Sequence, residues 1–179
     1  MSPQHVEDDR HDEAAPTPRI RPARPDEAAY LTALGLRSKA HWGYDAAFMA
    51  ACVRTMTVTS HQIAAPDRHY LVAEDAEGSV VGFAALRPEG RGSRDAELTD
   101  LFVDAHAIGQ GYGKRLWHHT IALARTLGIE RVRIEADPFA EAFYLRQGAV
   151  RIGEAPSGAI SGRLLPLLWF TIGATPETS

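Results

Sequence analysis

The spacing of apolar and polar residues predicts a single mixed α/β domain between residues 19 and 172. Apolar runs with period-two spacing or continuous burial predict seven strands, at residues 19–23, 70–73, 80–86, 97–103, 132–135, 150–154 and 164–172. Apolar residues at helical spacing predict four helices, at residues 26–36, 45–56, 111–127 and 139–147. This order (strand, two helices, three strands, helix, strand, helix, two strands) is typical of helices packed around one central sheet.

The composition is that of one compact soluble domain. Hydrophobic residues make up 45% of the 179 residues and charged residues 23%, which is enough to build a core. The only cysteine, Cys52, excludes an internal disulfide framework and a cysteine-rich zinc site, and it favours a reducing compartment. No apolar run approaches the roughly 20 residues of a membrane span, and the acidic N-terminal residues are unlike a signal peptide. We therefore expect a cytoplasmic protein without membrane attachment.

The net charge of −4 is concentrated in residues 1–18, where five acidic residues accompany one arginine. This segment contains almost no large apolar residue, so it cannot offset the entropy of ordering, and we expect a disordered acidic leader. The remaining chain is neutral, which argues against nucleic acid as a partner. The predicted domain covers residues 19–172, and we expect residues 173–179 to form a flexible tail.

A glycine-rich segment, Ile108–Lys114, lies between the fourth predicted strand and the long third helix. The backbone N–H groups of its three alternate glycines would point outward at the positive end of a helix dipole. Such a turn suits a phosphate or pyrophosphate, and Lys114 could add charge. The spacing does not fit a Rossmann fingerprint, and Arg115 stands where a P-loop needs Ser or Thr. On these residues alone, a plain glycine-rich helix cap is an equal alternative.

Three segments in this order resemble the GCN5-related N-acetyltransferase (GNAT) superfamily. Residues 108–113 occupy the place of its Gln/Arg-x-x-Gly-x-Gly/Ala coenzyme A loop, although Ile108 replaces the leading Gln or Arg. Residues 97–103 (ELTDLFV) resemble its fourth strand, and residues 140–149 (AEAFYLRQGA) resemble its fourth helix. The resemblance covers about residues 19–172. Three further segments are similar to a bacterial subgroup generally without an assigned acceptor: residues 41–45, 136–138 and 157–166.

The resemblance implies a central, twisted, mostly antiparallel sheet and an acetyl-CoA-dependent N-acetyltransferase. The pantetheine of the coenzyme would lie along the fourth strand, and the pyrophosphate would bind the glycine loop. Asp137 stands where the family often has an Asn that touches the pantetheine. The residues implied in coenzyme binding are Leu101, Phe102, Val103, Ile108, Gly109, Gln110, Gly111, Tyr112, Gly113, Lys114 and Asp137.

Glu97 and Tyr144 are the implied catalytic residues. Glu97 matches the general base of histone-acetylating members, and a carboxylate there could take a proton from an amine with a pKa of about 10.4. Tyr144 matches the tyrosine that many members use as general acid toward coenzyme A. From the residues alone, Glu97 could instead be a solvated strand residue and Tyr144 a core aromatic beside Phe143. Asp100, expected on the opposite face of the strand, is the reserve base.

Four residues are candidates for contact with the acceptor. Trp42 and Tyr44 lie in the connection between the first two helices, which borders the acceptor cleft in this fold. Ser157 and Arg163 lie in the connection between the last two strands. The bulky aromatic loop favours a closed pocket, so a primary amine of a small molecule that attacks the thioester directly is the expected acceptor. Protein acetylation on Lys or an α-amino terminus, and a non-catalytic acyl-CoA sensor, are the alternatives.

The role of Arg163 and the oligomeric state stay open at this point. Arg163 either pairs internally with Glu154 or Asp137, or holds the carboxylate or phosphonate of an amino-acid-like amine. The adjacent His118 and His119 face about 100° apart on a helix, so we expect no metal site. A homodimer is one option for the oligomeric state.

Overall fold

The computed structural model describes residues 19–173. The predicted leader, residues 1–18, and residues 174–179 of the predicted tail lie outside the described residues. Within the described range the chain forms, in order, β1 (Arg19–Pro22), α1 (Ala28–Ala40), α2 (Ala46–Met56), α3 (Ser60–Ala64), β2 (His69–Glu74), β3 (Val80–Pro88), β4 (Asp95–Val103), α4 (Tyr112–Thr126), β5 (Arg131–Glu135), α5 (Glu141–Arg146), β6 (Val150–Pro156) and β7 (Leu164–Thr171).

The seven strands form one sheet in the order β1-β2-β3-β4-β5-β7-β6. Only β4 and β5 run parallel, and the other neighbouring pairs are antiparallel. The predicted fold class, a single domain with a mostly antiparallel sheet flanked by helices, is confirmed. The predicted element order lacked α3, a short helix that Thr59 and Gln62 cap reciprocally through their side chains.

Helices cover the two faces of the sheet with separate apolar clusters. On one face, residues of α4 such as Leu116 belong to the same apolar cluster as sheet residues such as Ile134 of β5. On the other face, α1 packs residues such as Leu31 against Phe83 of β3. Each of these side chains is at most 1% exposed, and burying one contributes about 1.5–3 kcal/mol. None of the helices in residues 19–173 is long and apolar enough to cross a bilayer.

An irregularity in β4 changes which side chains share a face. Leu98 is registered with Leu86 and Asp100 with Ala85, so Thr99 is an extra residue that forms a β-bulge. Because alternation has period two, the bulge places Asp100 on the same face as Glu97, three residues earlier. The expectation that these two carboxylates lie on opposite faces is therefore wrong. That expectation assumed that side chains alternate between the two faces of the sheet along the whole of β4, and the bulge at Thr99 interrupts this alternation.

The parallel strands β4 and β5 separate halfway along β4. Their registered pairs end at Leu98 and Ile134, whereas β4 continues to Val103. Along residues 99–103, no strand of the described chain pairs with this edge of β4. The separation leaves backbone groups of a central strand facing a cleft in the middle of the sheet.

Candidate active site

The cleft between β4 and β5 widens into a cavity of about 980 Å³. Its walls come from β4, α2, α5, the start of α4, and the connection between β6 and β7. All the predicted site residues except Gln110 and Tyr44 lie on these walls, and Asp100 lies there as well. The Gln110 side chain donates instead to the His106 carbonyl at 3.0 Å. The fold thus brings residues from distant parts of the sequence together around one space.

The glycine loop ends the cavity at the start of α4. Gly109 and Gly111 have φ values of +84° and +87°, and a Cβ at either would meet no atom within 4 Å, so both face open space. The first hydrogen bond of α4 joins Arg115 N to Gly111 O at 3.1 Å. The N–H groups of residues 112–114 therefore lack helical acceptors at the positive end of the α4 dipole, which suits an anion.

Tyr144 of α5 is buried, with 5% of its surface exposed, yet it contributes to the cavity wall. Its ring makes edge contacts with Trp117 and Phe143, at centroid distances of 5.7 and 5.1 Å. Burial raises the pKa of the Tyr144 hydroxyl, and the charges of Asp100 and Asp137 raise it further. The phenol is therefore protonated at neutral pH and can donate a hydrogen bond into the cavity.

The two carboxylates of β4 have different surroundings. Glu97 forms ion pairs with Arg87 of β3 and, at 3.6 Å, with Arg133 of β5. Asp100 accepts a hydrogen bond from the Thr99 hydroxyl at 2.8 Å. Burial raises the pKa of Asp100 to about 6, and the nearby charge of Glu97 acts in the same direction. Asp100 can therefore exchange a proton near neutral pH, whereas the Glu97 carboxyl group is engaged by two guanidinium groups.

A network that we call the interloop bridge, formed by Lys39, Tyr44, Asp137 and Arg163, joins three segments beside the cavity. Lys39 Nζ lies 2.7 Å from Asp137 Oδ2, and the Tyr44 hydroxyl donates to the same carboxylate at 2.9 Å. Arg163 Nη2 donates to the Tyr44 oxygen at 2.7 Å and lies 3.7 Å from Asp137. Of the alternatives for Arg163, an internal pair with Asp137 is present, and Glu154 pairs with Arg151 instead.

Aromatic stacking reinforces the interloop bridge. Trp42 stacks on Phe139 with an interplanar angle of 6°, and Tyr44 stacks on Phe48 with centroids 4.0 Å apart. Although burial of Asp137 opposes its ionisation, the Lys39 ammonium and the Tyr44 hydroxyl hold the pKa of this carboxyl below its usual range. The connection after α1 is thereby held against the connection after β5, which closes one side of the cavity.

The sequence profile of the acetyltransferase (GNAT) family matches residues 37–149, more than half of the chain. The chain belongs to this family. It is a GNAT N-acetyltransferase that uses coenzyme A, and the matched region contains β4, the glycine loop and α5. A comparison with proteins of curated function gave no match.

Solved structures of other GNAT proteins share the fold. PaiA N-acetyltransferase from Thermoplasma acidophilum, in complex with coenzyme A, has a TM-score of 0.69 at 16% identity and covers 87% of this chain and 99% of its own. A GCN5-related N-acetyltransferase from Rhodopseudomonas palustris has a TM-score of 0.72 at 23% identity, covering 87% and 96%. An aminoglycoside 6′-N-acetyltransferase complexed with coenzyme A has a TM-score of 0.64 at 18% identity, covering 89% and 99%.

The cavity fits coenzyme A by its backbone more than by its side chains. The free edge of β4 can pair with the amides of pantetheine, and the N–H groups at the start of α4 can bind the pyrophosphate. Tyr112 is only 8% exposed, so its contribution at the loop comes from its backbone N–H. Ile108 at the head of the loop has no polar side-chain group, and the N–H groups at the start of α4 remain in place.

Several residues on the cavity wall were not predicted from the sequence. They are Ser38 and Lys39 of α1, Cys52, Thr55 and Met56 of α2, Phe139 in the connection before α5, and Arg146 of α5. Helical spacing in α2 indicated a buried face, but it did not show that this face borders a cavity rather than the core. In residues 19–173, no group of three or more His, Cys, Asp and Glu side chains is arranged to hold a metal ion.

Replacing Gly111 with valine is expected to weaken acetyl-CoA binding at least about tenfold, or about 1.4 kcal/mol. The added side chain would occupy the open space in front of the loop and strain a backbone with positive φ. Gly92, in the connection between β3 and β4, has a φ of +76° and equally open surroundings, so Gly92→Val reproduces the strain away from the cavity. Calorimetric titration should show normal affinity for Gly92→Val; normal affinity in folded Gly111→Val would overturn the loop assignment.

Proposed function

We propose that this GNAT protein moves an acetyl group from acetyl-CoA to a primary amine of a small molecule. The observation that supports a small acceptor is the interloop bridge. It joins the end of α1, the connection after β5 and the connection after β6 along one side of the cavity. A protein substrate would need these segments apart to admit an extended chain. An amine of small size can reach the cleft between β4 and β5 while the bridge is closed.

The reaction is a direct attack of the amine nitrogen on the thioester carbonyl carbon. The bond from carbon to nitrogen forms, the bond from carbon to sulfur breaks, and the coenzyme leaves as a thiolate. The amine loses one proton, and the thiolate finally gains one from solvent. A backbone N–H of β4, such as that of Leu101, is suited to stabilise the tetrahedral oxyanion.

We assign the proton transfer from the amine to the β4 carboxylates. Glu97 was the predicted base, but its carboxylate oxygens are engaged by the guanidinium groups of Arg87 and Arg133. Asp100 shares its face and has a pKa of about 6, which is suited to a general base near neutral pH. In this proposal Asp100 receives the proton, directly or through water, and Glu97 raises the proton affinity of Asp100.

Tyr144 stabilises the leaving thiolate in the same proposal. A phenol with a raised pKa keeps its proton when the coenzyme sulfur, with a conjugate-acid pKa of about 8.5, becomes charged. Full proton transfer from Tyr144 would be uphill. The hydroxyl therefore acts by donating a hydrogen bond while solvent supplies the proton.

The choice of acceptor is tested by comparing kcat/KM for small primary amines with that for peptides carrying Lys or a free α-amino group. We expect small amines to be preferred at least about tenfold, because the closed bridge excludes a chain. Tyr144→Phe protein provides the background rate for each substrate. Preference for the peptides would contradict the proposed acceptor, and acetyl-CoA binding without transfer to either class would indicate a non-catalytic sensor.

We also propose a cytoplasmic location. Support comes from Cys52, which is a free, buried thiol and is the only cysteine of the chain. Recovery of the protein with the periplasmic or secreted fraction of its native cells would contradict this assignment.

A further inference from the structure

The end of the cavity formed by the interloop bridge carries an excess positive charge. Lys39 and Arg163 contribute two cations, and Asp137 is the one carboxylate that pairs with both. The side chains of all three are between 14% and 19% exposed, so solvent screens this charge only in part. A second anion near Asp137 would balance the pair of cations.

Arg163 has hydrogen-bond donors that the protein leaves unused. Its partners among the described residues are the Tyr44 hydroxyl and Asp137, both reached through Nη2. The guanidinium lies over the rings of Phe48 and Tyr44, at 4.7 and 5.2 Å from their centroids, which fixes its plane. Nε and Nη1 therefore remain as donors of a positioned cation on the cavity wall.

A hydroxyl donor lies in the same connection between β6 and β7. Ser157 Oγ accepts hydrogen bonds from the N–H groups of Ala159 and Ile160, at 3.3 and 3.2 Å. Within the described residues the Ser157 hydroxyl donates to no acceptor, so its proton is available to a ligand. Ser157 and Arg163 both contribute to the cavity wall, and they lie at the two ends of one turn joined by the bond from Ser157 N to Arg163 O at 2.8 Å.

Carboxylates of β4 form another part of the cavity wall. Glu97 is paired with Arg87 and Arg133, whereas Asp100 forms no ion pair among the described residues and is affected by the charge of Arg68 only at a distance. The charges of Asp100 and Asp137 both act on the Tyr144 hydroxyl, and all three residues line the same cavity. The cavity thus presents a proton acceptor on β4 and a cation in the connection between β6 and β7.

We infer that the acceptor is an amine that also carries an anionic oxygen group, a carboxylate or a phosphonate. Arg163 Nε and Nη1, with the Ser157 hydroxyl, bind the anionic group, and the amine then points toward the β4 carboxylates. The internal pair with Asp137 orients Arg163 for this contact rather than replacing it. This inference rests on the proposed function. Amines with several positive charges and no anion are disfavoured, because they meet Lys39 and Arg163.

The test compares linear amino acids of increasing separation between amine and carboxylate with the carboxamide of each. For the wild-type protein we expect kcat/KM to be at least about tenfold higher for the best acid than for its carboxamide. Arg163→Met should remove this preference by lowering kcat/KM for the acid at least about tenfold. It should leave the carboxamide rate and the KM for acetyl-CoA nearly unchanged.

Two further variants separate binding from folding. Arg151→Met removes an arginine of β6 that pairs with Glu141 and Glu154 outside the cavity. It should leave kcat/KM for the acid and for its carboxamide unchanged. Arg163→Lys keeps the positive charge and loses the planar pair of donors. We therefore expect kcat/KM to fall for the acid and to stay unchanged for its carboxamide. Equal losses for acid and carboxamide in folded Arg163→Met, or a wild-type preference for diamines, would overturn the inference.

The outcome can be distinguished from failure of the proposed function. If the wild-type protein acetylates no amine, the proposed function fails, and calorimetric titration of the acids into the complex with coenzyme A still tests the subsite. Binding of an acid that Arg163→Met weakens at least about tenfold would support the subsite. Binding that is absent, or that the substitution leaves unchanged, would overturn it.

Discussion

Replacing Tyr144 with phenylalanine is expected to lower kcat about 100-fold and to leave acetyl-CoA affinity nearly unchanged. The ring would keep its edge contacts with Trp117 and Phe143, so packing would be preserved. The hydroxyl hydrogen bond to the departing thiolate would be lost, and this bond is realised only as the carbon–sulfur bond breaks. Steady-state kinetics at saturating amine and calorimetric titration of acetyl-CoA measure the two quantities separately.

Tyr30→Phe is the matched control for this prediction. Tyr30 lies on α1 with 45% of its surface exposed, and its hydroxyl donates to the Val80 carbonyl at 2.8 Å. Loss of that hydroxyl should not change kcat. An unchanged kcat in Tyr144→Phe would mean that solvent alone stabilises the thiolate. A fall in acetyl-CoA affinity equal to the fall in kcat would instead assign the hydroxyl to binding.

The second large effect is expected at Asp100. Because the base must be deprotonated, the rate should fall as pH falls through the Asp100 pKa of about 6. Asp100→Asn should lower kcat/KM about 100-fold at neutral pH and remove this acidic limb. Folding raises the pKa of this carboxyl from 3.8 to about 6, so its ionisation lowers the stability of the fold as pH rises between these values, and the full cost applies at neutral pH. Asp100→Asn should therefore melt at or above the wild-type temperature at neutral pH.

Glu97→Gln distinguishes the roles of the two β4 carboxylates, Glu97 and Asp100. It removes a negative charge near Asp100 and leaves Arg87 and Arg133 without their shared partner. Both changes favour the ionised form of Asp100, so the acidic limb of the pH–rate profile should move to lower pH. Above that limb, the rate should depend less on pH. If Glu97→Gln abolishes the limb at all pH values while Asp100→Asn retains it, the base is Glu97, as the resemblance alone implies.

The part of the cavity wall formed by β4 and the glycine loop could be predicted from the sequence because its residues are close together in the chain. Only four residues, 104–107, separate residues 97–103 from the glycine loop, and a backbone-binding site depends little on distant side chains. Ile108, which stands where the family has Gln or Arg, does not disturb the turn of the glycine loop, since Gly109 and Gly111 adopt the positive φ values that the turn requires.

The acceptor half depends on information that periodicity does not contain. Thr99 forms a bulge in the middle of an otherwise regular strand, and only the register with β3 shows that Asp100 turns to the face of Glu97. The contact of Lys39 with Asp137 joins residues 98 positions apart. The pairing of Arg163 with Tyr44 joins residues 119 positions apart. Such contacts follow from the packing of loops at one end of the sheet, and local sequence does not specify them.

The central claim is that the cleft between β4 and β5 holds acetyl-CoA for transfer to a small amine. Its most direct test is to mix the stoichiometric complex of the protein and acetyl-CoA with a panel of small primary amines and to follow coenzyme A thiol and N-acetyl product together. We expect the release of coenzyme A thiol to depend on the amine and to equal the amount of N-acetyl product formed. A complex that binds acetyl-CoA but forms no N-acetyl product with any amine of the panel would contradict it.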